Sequence, residues 1–183
     1  HPTIVREGLD QFGHIHPEVD AAGNLTAEFI FPTGGRYRLY ADFKPQGEPQ
    51  SVAIGELQVG GASSPAPRLS PNVPGRIQGD GLQADLEITN AKGGIPARIS
   101  FRLLDPEERP IRDLQSYLGA MGHLVVISAD GKEYVHAHPG EDQAEVGRVS
   151  FEARFAKPGV YKGWGQFRRG GKIRTLPLVL LVE

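Results

Sequence analysis

The feature that most constrains this chain is an internal duplication carried by its histidines. Of six histidines in 183 residues, four stand in "HIHP" at 14–17 and "HAHP" at 136–139. Laying "HPTIVREGLDQFGHIHP" over "HLVVISADGKEYVHAHP" without a gap pairs His1 with His123, His14 with His136 and His16 with His138. After a two-residue difference in the next loop the match resumes: Gly23 on Gly147, Phe31 on Phe155, Gly35 on Gly159, Tyr37 on Tyr161, Tyr40 on Trp164 and Phe43 on Phe167. Residues 1–60 and 123–183 are therefore two copies of one unit, and any fold assigned to one must serve the other.

Alternation of apolar and polar residues says what that unit is made of. Leu82, Ala84, Leu86 and Ile88 lie two apart, as do Ile99, Phe101 and Leu103, and Leu25, Ala27, Phe29 and Phe31. Period two turns one face of a strand to a core and the other to solvent. The 24 Gly and 15 Pro fall between such segments as turn punctuation. "LPLVLLV" near the C-terminus has the length of a buried strand, well short of the ~20 apolar residues a bilayer-spanning helix needs. The only helical candidate, "DPEERPIRDLQSYLGA", is interrupted by Pro110, whose ring and missing N–H disrupt a helix interior. An all-β sandwich is the expectation.

Composition narrows function. A formal charge of −2 argues against a nucleic-acid or anionic-membrane surface. No cysteine is present, so disulfides, thiolate metal sites and a cysteine nucleophile are excluded. "GGASSPAPRLSPNVPG", 60–75, reads as linker. That places a partial sandwich at 1–60, a linker at 61–75 and a complete sandwich at 76–183. The first part lacks a counterpart of 76–122, which suggests strands upstream in a longer chain from which His1 was trimmed.

Asp130-Gly131 signals a tight hairpin, of the type I′ kind in a two-residue loop. Centring the hairpin there makes residues whose numbers sum to 261 face each other, so His123 lies opposite His138 and Val125 opposite His136. Directly paired residues share a face, as do residues two apart on a strand, so all three imidazoles project from one side. In the first copy a hairpin centred on Gly8-Leu9 does the same for His1, His14 and His16. Three convergent neutral imidazoles make a workable metal site with a position left for water or another ligand.

Met121, two residues before His123, would add a thioether, a soft ligand that favours Cu(I), if the strand extends back that far; core filler or a turn residue is the alternative. Glu18, Asp20 and Asp142 stand in loops after the His-Pro turns, where they read first as solvated loop acids and second as carboxylates able to reach a metal. An N-terminal His1 chelating Cu(II) through its amine is weakened by His123, which occupies the equivalent place with no free amine. Hairpin-bracing histidines are the non-metal alternative. The paired aromatics of "GGRYRLYADF" and "PGVYKGWGQF" read as core.

The pattern G-A-x-G-H, a hairpin, H-x-H-P, then F-x3-G-x-Y over 119–161 resembles bacterial secreted or periplasmic β-sandwich proteins of the YtkA-like and FixH-like kind, found among copper and heavy-metal handling proteins. The first copy matches from His1 onward without the G-A-x-G lead-in. The resemblance implies an immunoglobulin-like or cupredoxin-like fold, export to the periplasm or beyond, and a link to copper; the expected partners are a metal ion and, for an exported carrier, another exported or membrane protein. Without a cysteine thiolate a type 1 copper site is excluded. The expected function is metal binding, carriage or sensing, for copper with zinc as the alternative, more a binding protein than an enzyme. A zinc- or copper-dependent enzyme and a metal-free interaction module are the competing readings.

Overall fold

A computed structural model describes residues 2–140 and 146–183. His1 and Asp142, both singled out above, lie outside the described residues. The chain divides into two units, 1–68 and 69–183. Among the described residues every regular element is a strand and every pairing is antiparallel.

The first unit contains β1 (Pro2–Arg6), β2 (Phe12–His14), β5 (Gly35–Phe43) and β6 (Ser51–Val59) in one sheet of order β2-β1-β5-β6. β3 (Glu18–Val19) and β4 (Leu25–Thr26) form a separate two-stranded ribbon.

The second unit is a β-sandwich. One sheet holds β12 (Tyr134–Ala137), β11 (His123–Ser128), β14 (Gly159–Arg169) and β15 (Lys172–Val182), with β10 (Leu114–Gln115) continuing the β11 edge of β14. The other runs β13 (Arg148–Arg154), β9 (Pro96–Leu104), β8 (Leu82–Thr89), β7 (Gly75–Gly79). Between them lies a core of Leu86, Ile99, Phe101, Leu124, Val126, Phe151, Phe167 and Leu178, all essentially solvent-free. Phe101 packs edge-on against both Phe151 and Phe167, with ring centroids 5.6 and 5.2 Å away, the orientation the aromatic quadrupole favours. Fully burying a side chain of this size stabilises by about 1.5–3 kcal/mol, so this cluster is the main reason the two sheets stay together.

The duplication is structural down to single pairings. In copy 1 Thr3 pairs with His14 and with Tyr40; in copy 2 Val125 pairs with His136 and with Trp164. Both hairpins close with the same loop. Leu9 N–H bonds the Arg6 carbonyl and Arg6 N–H the Gln11 carbonyl, while Gly131 N–H bonds Ser128 and Ser128 N–H bonds Glu133. These are four-residue loops, not the two-residue type I′ turn expected at Asp130-Gly131: Asp130 is not among the residues of positive φ, whereas type I′ needs it at both central positions. Because both loop lengths share one centre, the register summing to 261 is unchanged. The left-handed position is filled by Gly131 (φ 69°) in one copy and by Leu9 (φ 56°) in the other. A leucine there is disfavoured by roughly 1–2 kcal/mol, which its nearly complete burial offsets.

Equivalent tyrosines pin equivalent corners. The Tyr37 hydroxyl donates to the Thr33 carbonyl at 2.9 Å and the Tyr161 hydroxyl to the Lys157 carbonyl at 2.8 Å. Phe31 and Phe155 each lie 4.9 Å from their tyrosine ring.

One further expectation needs correcting. The period-two run Leu25 to Phe31 is a strand only at Leu25–Thr26, whereas its counterpart is the seven-residue β13. A strand requires a neighbour to satisfy its backbone, and β13 finds one in β9. In the first unit Phe29 instead lays its ring on Gly13, where a Cβ would fall 2.2 Å from it, and so caps the sheet as a loop residue. The segment 60–75, read as a linker, contains the boundary between the two units and is hydrogen-bonded at several points: the buried Arg6 guanidinium, paired with Asp10, donates to Ser63 and Ser64, and Ala62 accepts from Gly34. At its other end Val179 N–H donates to the Asn72 side chain. The segment around Pro110 forms no helix, in keeping with the proline that interrupts it; Asp105 caps a turn by accepting from the N–H groups of Glu107 and Arg109.

Candidate metal centre

Along β11, Leu124 and Val126 point into the sandwich core, so His123, Val125 and Ile127 point to the opposite side of their sheet. His136 shares that side because it is directly paired with Val125, and Trp164 and Gln166 share it from β14. His138 follows where β12 ends and Pro139 bridges to Phe151 of the second sheet.

This brings three rings together. Centroid separations are 4.7 Å for His136 and His138, 4.8 Å for His123 and His138, and 5.6 Å for His123 and His136. One nitrogen from each ring lies within 4.8 Å of the other two, an arrangement that could hold a metal ion. A tetrahedral ion with Zn–N bonds of ~2.0–2.1 Å needs its nitrogens about 3.4 Å apart, a spacing small side-chain rotations would reach. Burial is graded across the group: His123 is buried, His136 half-buried and His138 exposed. The site thus has a fixed inner wall and an open outer edge.

His123 is the most constrained ligand. Its Nε2 lies 2.9 Å from the Tyr117 carbonyl oxygen and its ring meets that of Tyr117 edge-on at 5.2 Å. Tyr117 belongs to the turn Tyr117-Leu118-Gly119-Ala120, closed by reciprocal backbone bonds of 2.8 and 3.2 Å between its ends. Both central residues have positive φ (54° and 80°), the conformation that defines a type I′ turn. Gly122 then slides past Phe167, where a Cβ would lie 2.8 Å from the ring. So the glycines of G-A-x-G-H have physical work: one makes the turn and the other lets β11 begin against Phe167. Burial pushes the Tyr117 phenol above its ordinary range, keeping it neutral beside the site. A backbone carbonyl carries no residue-type signal, and the glycine at 119 is the trace this turn leaves in the sequence.

In copy 1, His14 and His16 have ring centroids 5.3 Å apart. His16 lines a cleft of about 470 Å³ with Glu18, Thr26 and Glu28. Burial lowers its pKa, favouring the neutral ring. The third histidine of this copy is His1, outside the described residues. Where copy 2 has Gln166, copy 1 has the buried Asp42, whose carboxylate accepts from the Gln50 amide at 2.6 Å. Met121 precedes β11 and lines a surface groove with Ile111, Leu114 and Val149.

Fold and site together define an all-β protein of two units, with a repeated histidine hairpin and a tri-histidine cluster in the second copy. The chain belongs to the family described as Domain of unknown function (DUF8832), whose model matches residues 1–58 and 77–183. No curated protein and no solved structure matches it. No helix among the described residues is long and apolar enough to cross a membrane.

Proposed function

We propose that the chain is an exported metal-binding protein that holds an ion on His123, His136 and His138, with His1, His14 and His16 as the related site of the first copy. The observation that carries this reading is the approach of three imidazole nitrogens to within 4.8 Å on one side of one sheet. Neutral imidazoles suit Cu and Zn alike. Copper is placed first, and export with it, on the resemblance of the His-hairpin motif to YtkA-like and FixH-like proteins. The exposed His138 supports exchange of the ion with a partner, as carriage or sensing requires, because a ligand must be reachable for a competing donor to displace it.

The test is titration calorimetry of the tag-free protein with Cu(II), Cu(I) and Zn(II), beside the doubly substituted His136→Ala, His138→Ala chain. The expected result is tight binding that weakens at least 100-fold on substitution, about 3 kcal/mol at 1.4 kcal/mol per decade. Micromolar or weaker affinity that the substitutions leave unchanged overturns the proposal.

A further inference from the structure

We infer that the turn Tyr117-Leu118-Gly119-Ala120 is a positioning device that makes His123 coordinate through Nδ1, with the Tyr117 backbone carbonyl holding the Nε2 proton. The inference rests on the tri-histidine reading and adds to it which atom binds and what selects it.

A carbonyl oxygen is only an acceptor, so at 2.9 Å from Tyr117 the Nε2 of His123 is the protonated nitrogen and donates. A neutral imidazole carries one proton, which leaves the lone pair on Nδ1. That atom is shielded from solvent, as is Nε2 of His136. A metal-binding histidine commonly gives its other N–H to a carbonyl or carboxylate, which fixes the ring and raises the basicity of the binding nitrogen. The carbonyl that does so here is itself fixed: Tyr117 accepts from Ala120 N–H and its own N–H donates to the Ala120 carbonyl. Its direction depends on two residues of positive φ and on the close passage of Gly122 past Phe167. The buried ring of His123 has little freedom to exchange its two nitrogens, so the turn selects the tautomer before any ion arrives.

The test uses nitrogen-15 long-range correlation spectra of the whole chain, first metal-free and then with Zn(II) alone. In the metal-free protein His123 is expected as the Nε2–H tautomer, and on adding Zn(II) the shift change is expected at its Nδ1. A metal-free Nδ1–H tautomer, or a zinc-induced change at Nε2, overturns the inference even where zinc binds. Absence of any zinc effect with the Nε2–H tautomer present sinks the metal reading and leaves the turn as a purely structural brace, which also overturns the coordinating role. Two substitutions add a second readout. Gly119→Val opposes the positive φ, although no neighbour lies within 4 Å of its Cβ, and is expected to mix the tautomers and weaken zinc 10–100-fold. Gly119→Asn, which tolerates that conformation, is expected to retain both. Equal zinc affinity in Val and Asn variants that both fold counts against the turn as a positioning device.

Discussion

Residues 24–31 and 148–155 descend from the same segment of the repeat and carry the same alternating pattern, yet β13 forms only in the second. Beside Arg148–Arg154 stands β9, offering a full row of backbone partners, and across the sandwich lies a face of Leu124, Val126 and Phe167. Among the described residues Leu25–Thr26 pairs with the two-residue β3, and from Ala27 onward the chain gives up the ladder and spends Phe29 and Phe31 as caps on Gly13 and Tyr37. Pattern supplies a strand's preference, and a neighbouring strand supplies the hydrogen bonds that make it real. The shared register survives even so: Pro139 bridges Phe151 just where extension of the β3–β4 pairing would place Pro17 opposite Ala27.

If that contrast is right, equivalent substitutions in the two copies should not be equivalent in effect. The largest difference is expected for Phe155→Ala against Phe31→Ala. Phe155 is wholly buried in the sandwich core and its loss should cost about 3–5 kcal/mol. Phe31, only half-buried, should cost about 1–2 kcal/mol by the transfer of its covered area alone. Chemical denaturation of the two variants checks this; equal losses would mean that the first copy has a core as complete as the second. The left-handed loop position should give a smaller split. Gly131→Ala forces a Cβ into that conformation and should cost about 1–2 kcal/mol. Leu9→Gly relieves the same penalty but forfeits about 1.5–3 kcal/mol of burial, so a net loss of about 1 kcal/mol is expected, where a net gain would show that Leu9 packs against little. The smallest effect belongs to His16. Because burial lowers its pKa, its ring protons should titrate below the ordinary histidine value of about 6.5. The unfolded chain then takes up the proton first, so this contribution is intact above about pH 6.5 and lost as pH falls through the lowered value. Proton NMR against pH reads it directly, and titration at or above the ordinary value would contradict a desolvated ring.

Much of the hairpin architecture was readable because it depends on counting. Strand periodicity is two, paired residues have a constant sum, and a duplication shows as identities at a fixed offset, so the pairing of Val125 with His136 and the shared side of the histidines followed from spacing. The type I′ assignment failed because the Asp-Gly signal marks the centre of a turn more firmly than its length. The role of Tyr117 is not legible in the sequence because its side chain is not the acting group: a backbone carbonyl has no letter of its own.

By itself, then, the sequence determined the all-β class, the duplication and the register that gathers His123, His136 and His138, since each is a local or pairwise property of residue order. Tertiary structure alone decided that the first copy leaves its strand after Thr26, how deeply each imidazole is buried, and which nitrogen of His123 meets the Tyr117 carbonyl. Those outcomes depend on groups distant in the chain that compete for the same space and hydrogen bonds, and only the folded whole settles that competition.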